Sequence, residues 1–252
     1  MNGYRGIIPG IFTMGNLFCG FASILTSIKG ERPIEAAWMI IFAAFFDFLD
    51  GLVARLSKSS SRFGVELDSL ADIVSFGVAP AVLLYSFKMI EFGSWGWILG
   101  FVFITAGAFR LARFNLTAKL ESKGNFIGLP IPVAAVSVAS FVIFCETIWG
   151  ELRMDRFLSF MVILFSVLMV STIEYESMPR FDLSSKKNRI KILILLGAGL
   201  ATMIRTKVVL FPLMALYVIS GIFRLLLGLV NNNVRKELQR PKNLFKGRKG
   251  PE

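Results

Sequence analysis

The chain has 252 residues, 55% of them hydrophobic and 25 of them Phe, with a mean hydropathy of +0.66, beyond the roughly 45–50% apolar content of a soluble domain. That excludes a water-soluble globule, and the formal charge of +11 reads as an orientation signal and an affinity for anionic headgroups, not as nucleic-acid binding, because no basic domain interleaved with aromatics is present. Histidine is absent and the two cysteines, Cys19 and Cys145, sit in apolar surroundings, which leaves carboxylates and oxygen-seeking cations as the available chemistry.

Eight apolar runs follow in chain order: 7–28, 35–56, 67–89, 94–114, 130–149, 157–176, 190–206 and 208–230. Most are long enough to cross a hydrocarbon core of about 30 Å as helices. They are apolar on all faces, unlike the alternating segments of a membrane barrel. The fold class is therefore all-α, a polytopic transmembrane helical bundle of about eight spans in one membrane-embedded domain, 1–230. A basic, Gly- and Pro-broken tail, 231–252, is expected to be disordered near headgroups. The last two spans are joined only by "RTK", Arg205–Lys207, so a re-entrant hairpin fits that stretch almost as well.

Lys and Arg on alternate sides of these spans divide as 20 against 7, with Arg224 inside a span. The richer side faces the cytoplasm, which places both termini there. The first span opens on "GIIPG" and no small-residue cleavage site follows, so it is expected to be retained rather than removed as a signal. It carries one polar amide, Asn16, in "GNLFCG".

The second and third spans hold the chemistry. In "FFDFLDGLVARL" Asp47 and Asp50 are three apart and share a helical face with Gly51 and Ala54. After the polar turn "SKSSSRF", the segment "GVELDSLADIVSFGVAP" places Asp68 and Asp72 four apart, again on one face. A charge inside a span costs about 2.5 kcal/mol or more and marks a polar cavity. Four clustered like charges would repel and take up protons unless a cation sits among them. Hard divalent ions resolve this, since Mg²⁺ pairs one or two carboxylates with phosphate oxygens of a substrate. The small residues Gly51, Ala54 and Gly64 leave room for a phosphate or nucleotide to approach the backbone.

From Asp47 to Asp72 the string reads D-x-x-D-G-x-x-A-R, eight residues, G-x-x-x-D-x-x-x-D, filled by Asp47, Asp50, Gly51, Ala54, Arg55, Gly64, Asp68 and Asp72. It resembles the signature of the CDP-alcohol phosphotransferases, integral membrane enzymes of phospholipid synthesis. The continuation "DSLADIVSFGVAPA", with "PGIFTMGNLFCGF", "AFRLARFN" and "FIGLPIP", is similar to the bacterial phosphatidylserine synthases of that superfamily. Ser69 stands where phosphatidylglycerophosphate synthases more typically have Pro.

The resemblance implies attack by the hydroxyl of L-serine on the β-phosphorus of CDP-diacylglycerol, releasing CMP, with Mg²⁺ or Mn²⁺ as cofactor. It implies that Asp47, Asp50 and Asp68 hold metal and that Asp72 joins a second metal or acts as the base, the role favoured here. Asp50, Gly51, Ala54, Arg55 and Gly64 would border CDP-diacylglycerol; Arg55 meets the diphosphate or serves as an inside-positive anchor. Asn16 reaches the nucleotide or a phosphate, or hydrogen-bonds between helices. Arg110 and Arg113, three apart at the cytoplasmic end of the fourth span with Lys119 and Lys123 beyond, recognise serine or lipid phosphate, or only reflect the basic loop. "GLPIP", Gly128 to Pro132, fixes a stiff entry to the fifth span. A homodimer in the inner membrane, with its active site facing the cytoplasm, completes what the resemblance implies. Rival readings are another acceptor (glycerol phosphate, inositol phosphate or choline) and a cation carrier, although no inverted repeat of broken helices is evident.

Overall fold

The computed structural model describes residues 7–57, 62–117, 125–151, 155–176 and 206–223. Its elements are α1 (Ile7–Lys29), α2 (Pro33–Ser57), α3 (Arg62–Asp72), a π-helical segment (Ile73–Val78), α4 (Ala79–Phe87), a 3₁₀ turn (Met89–Phe92), α5 (Ser94–Thr117), β1 (Asn125–Ile127), α6 (Ile131–Trp149), α7 (Asp155–Val170), β2 (Glu174–Glu176) and α8 (Thr206–Phe223). Among the described residues, six helices are long and apolar enough to cross a membrane, with α3, the π segment and α4 counting as one, Phe63–Phe87. The shorter α7 is also apolar. The predicted run 190–206 lies outside the described residues but for Thr206, and so does the tail, while Thr206 and Lys207, at the expected tight connection, are helical.

Helix α1 is inside-out relative to a helix of a soluble bundle. On α1 the inward stripe is small and polar: Thr13, Asn16, Gly20, Ser23 and Ser27 recur at helical spacing, and the four with polar side chains are almost wholly buried. Ile11, Phe18, Phe21 and Ile28 face outward. With lipid as apolar as any side chain, close backbone approach and interhelical hydrogen bonds do the packing. Ser23 Oγ accordingly donates to the Ala36 carbonyl of α2 at 2.8 Å. Ala36, Ala37, Ile40 and Ala43 of α2 and Ala134, Ala135, Val138 and Ala139 of α6 are fully buried, and α2 packs on both α1 and α6. Phe211 of α8 packs at a tilt against Phe141 and Phe144 of α6, at 5.1 and 5.5 Å between ring centroids.

Two local departures from regular helix matter for the site. Pro80 has no N–H to give to Phe76, and the turns ahead of it widen: the Ala79 N–H bonds to the Val74 carbonyl, five residues back. The second departure corrects the sequence reading. The sixth span, expected to run to 176, stops at Val170, and Glu174–Glu176 instead pairs antiparallel with Asn125–Ile127. This small ribbon qualifies the all-α expectation. The cause is local. The N–H groups of Gly128 and Leu129 bond to Ile173 and Leu168 carbonyls at 2.8 and 3.0 Å, drawing the chain after α7 onto the "GLPIP" turn. There Gly128 adopts φ 78°, a left-handed conformation natural to glycine. Pro130 is extended, and Pro132 sits in the first turn of α6.

Candidate active site

Asp47 and Asp50 lie near the end of α2 and Asp68 and Asp72 in α3, so one short connection brings both pairs to the same end of the bundle. Carboxylate oxygens of Asp47, Asp68 and Asp72 fall within 4.8 Å of one another. Asp68 Oδ1 is buried without a hydrogen-bond partner. Three like charges this close either take up protons or accept a cation among them, and a donor set made only of oxygen fits a hard divalent ion such as Mg²⁺ or Mn²⁺ and no soft metal. Asp50 is buried and lies outside this group, its Oδ2 accepting a hydrogen bond from Thr13 Oγ1 of α1.

α1 makes a second contact with this group. Asn16, fully buried, donates from Nδ2 to Asp72 Oδ1 at 3.0 Å, which leaves its own Oδ1 unpaired. Ser75 Oγ, in the π segment, donates to the Asn16 backbone carbonyl at 2.9 Å. One turn on, Gly20 admits the π segment: a Cβ there would stand 2.6 Å from Ser75 Cα.

The two arginines of α5 part company. Arg110 is buried, acts electrostatically on Asp47 and Asp72, lies 5.5 Å over the Phe114 ring and has an unpaired Nε. Arg113 spreads its guanidinium over the end of α7, donating from Nη1 to the Val170 carbonyl at 2.8 Å and from Nη2 to those of Met169 and Ser171 at 3.2 and 2.9 Å. It thus satisfies carbonyls that a helix terminus leaves open. Gly51 is exposed, with nothing within 4 Å of where a Cβ would be; Ala54 and Gly64 are partly buried nearby in sequence. The Arg55 side chain, Lys119 and Lys123 fall outside the described residues.

Thr13, Ser75 and Asn115 were missed from the sequence. Thr13 had a signal, since it stands three before Asn16 and so shares its face. Asn115 donates from Nδ2 to Ser69 Oγ at 2.9 Å, joining α5 to α3 beside Asp68. Nothing in the sequence pairs those two. Tyr217 of α8, close enough to act electrostatically on Arg110, was also unmarked.

Comparison with known proteins adds to this geometry. The CDP-alcohol phosphatidyltransferase family matches residues 6–174, which include every element described above from α1 to α7. The chain is 38% identical over 230 residues to the CDP-diacylglycerol–serine O-phosphatidyltransferase of Helicobacter pylori (strain ATCC 700392 / 26695), covering 89% of this chain and 93% of the relative. It is 42% identical over 178 residues to the archaetidylserine synthase of Methanothermobacter thermautotrophicus, covering 69% and 70%. It is 41% identical over 168 residues to the CDP-diacylglycerol–serine O-phosphatidyltransferase of Methanocaldococcus jannaschii, covering 66% and 72%. A match over two thirds of its length, taking in the converging aspartates of neighbouring spans, places this chain in the CDP-alcohol phosphatidyltransferase family.

Proposed function

We propose that the protein transfers the phosphatidyl group of CDP-diacylglycerol to the hydroxyl of L-serine, giving phosphatidylserine and CMP. The observation that carries this reading is the convergence of Asp47, Asp68 and Asp72 within 4.8 Å beside a buried Arg110, in a chain 38% identical over most of its length to an enzyme named for that reaction.

Phosphoryl transfer asks for charge neutralisation and in-line placement more than for covalent help. Asp47, Asp68 and Asp72, with the remaining oxygen of Asp50, would hold Mg²⁺ or Mn²⁺, which when bound neutralises phosphate charge and acidifies a nearby hydroxyl. The open face at Gly51, with Ala54 and Gly64, admits the cytidine diphosphate moiety, and Arg55 pairs with the diphosphate through its fork of donors. Serine's hydroxyl oxygen forms a bond to the β-phosphorus as the bond from that phosphorus to the CMP oxygen breaks. Asp72 receives the hydroxyl proton, and CMP leaves with the electron pair. Arg110 is the better placed of the two arginines to attract the serine carboxylate, because Arg113 already serves α7 carbonyls. Asn16 Oδ1 and Arg110 Nε are buried groups whose partners a substrate would supply.

The same reading gives eight spans with both termini in the cytoplasm and the aspartates at the cytoplasmic face of the inner membrane, supported by the division of Lys and Arg as 20 against 7. It takes 1–230 as the membrane domain and 231–252 as a basic tail. The family resemblance supports a homodimer. The test is CMP release by purified protein from CDP-diacylglycerol with a panel of alcohols. Serine-dependent release is expected; release with glycerol phosphate, inositol phosphate or choline, and none with serine, overturns the assignment.

A further inference from the structure

We propose that Thr13 and Asn16 form a positioning pair through which α1, a helix with no carboxylate of its own, sets the geometry of the divalent-cation site formed by α2 and α3. The proposal deepens the reading above and rests on its metal site.

The two residues are three apart, share the inward face of α1, and are 2% and 0% exposed. Each takes one oxygen of one aspartate, and the two aspartates belong to different helices. Thr13 Oγ1 donates to Asp50 Oδ2 on α2, and Asn16 Nδ2 donates to Asp72 Oδ1 on α3. A carboxylate held by one oxygen has lost its torsional freedom and presents the other oxygen in a fixed direction. Donors behind a ligating carboxylate act in this way, and their loss typically weakens metal binding by about ten- to a hundredfold.

α1 is also seated against the π segment at Asn16 itself and one turn further along. Ser75 Oγ holds the Asn16 carbonyl at 2.9 Å, and Gly20 lets the π segment lie against the helix. The amide and hydroxyl are thereby held against the continuous span that carries Asp68 and Asp72. Asn16 Oδ1, buried and unpaired, adds an acceptor beside Asp72.

The experiment is Mn²⁺ binding to the full chain in detergent, read by electron paramagnetic resonance of free Mn²⁺, on wild type and on Thr13→Val, Thr13→Ser and Asn16→Leu. Val and Leu keep shape while removing the donor. The expected result is a dissociation constant raised about tenfold or more in Thr13→Val and Asn16→Leu, and near wild type in Thr13→Ser. CMP release should show the same order in its half-saturating Mn²⁺, with part of the lost rate recovered at high Mn²⁺. Wild-type Mn²⁺ affinity in both Thr13→Val and Asn16→Leu overturns the proposal, and Thr13→Val decides alone if Asn16→Leu does not fold. Tight Mn²⁺ binding by wild type without CMP release sinks the transferase reading instead, while the binding constants still decide the positioning pair.

Discussion

Gly128 and Arg113 occupy the same small space at the end of α7: a Cβ added to Gly128 would stand 2.6 Å from Arg113 Nη2 and 2.5 Å from the Met169 carbonyl oxygen. The glycine is at φ 78°, so a side chain is opposed both by the backbone conformation and by the cap it would displace. Gly128→Ala is expected to lose about 1–3 kcal/mol from the backbone alone, with more from the clash. Thermal melting in detergent measures it, and an unchanged midpoint would show that the turn relaxes freely.

Arg110 and Arg113 should separate by phenotype. Arg113→Lys keeps the charge but cannot reach three carbonyls with a planar fork. A loss of about 1.5–3 kcal/mol in stability is expected, with a small change in the serine KM. Arg110→Lys should do the reverse, raising the serine KM with little effect on melting. Steady-state kinetics and melting curves on both variants check this; equal effects of the two on KM would return Arg113 to the binding site.

The three converging carboxylates are not interchangeable with amides. Asp72→Asn removes the proton acceptor, and a fall in CMP release of about 10²–10⁴-fold is expected from loss of a general base alone. Asp47→Asn and Asp68→Asn should act through metal, raising the Mg²⁺ or Mn²⁺ needed for half-maximal rate. Chelation of wild type by EDTA should abolish CMP release, and added Mg²⁺ or Mn²⁺ should restore it. Full activity after exhaustive chelation would remove the metal from the mechanism.

Gly20→Val tests the seating of α1. The added carbons would meet Ser75 backbone at 2.6 Å, forcing α1 away from the π segment. Overpacking of this kind costs about 1–3 kcal/mol. Because Asn16 lies one turn away, activity is expected to fall further than stability does, as compared by CMP release and melting on one preparation.

The four aspartates were legible because spacing alone puts Asp47 with Asp50 and Asp68 with Asp72 on helical faces, and membrane burial makes such charges expensive enough to need a reason. Their division into three converging carboxylates and one held by Thr13 was not legible, since it depends on α1 docking from elsewhere in the chain. Hydropathy found the spans from α1 to α6 to within a few residues at most ends. It failed at the end of α7, where apolar Met169 and Val170 run on into Ser171 without a breaker and the partners of the last carbonyls come from afar: Gly128 and Leu129, and Arg113, 57 residues upstream of Val170. It also missed the π segment, for which Pro80 was the only written sign.

All four tryptophans, Trp38, Trp95, Trp97 and Trp149, lie toward the bundle end opposite the aspartates, at the start of α2 and α5 and the close of α6. At 1.5 Å of rise per residue, Trp38 is about 14 Å along its helix from Asp47, and Trp95 about 22 Å from Arg110. Indole emission from the unaltered chain therefore surveys the far interface and is poorly placed to register what arrives among the carboxylates. Optical readouts of ligand arrival call for a fluorophore introduced at the other leaflet.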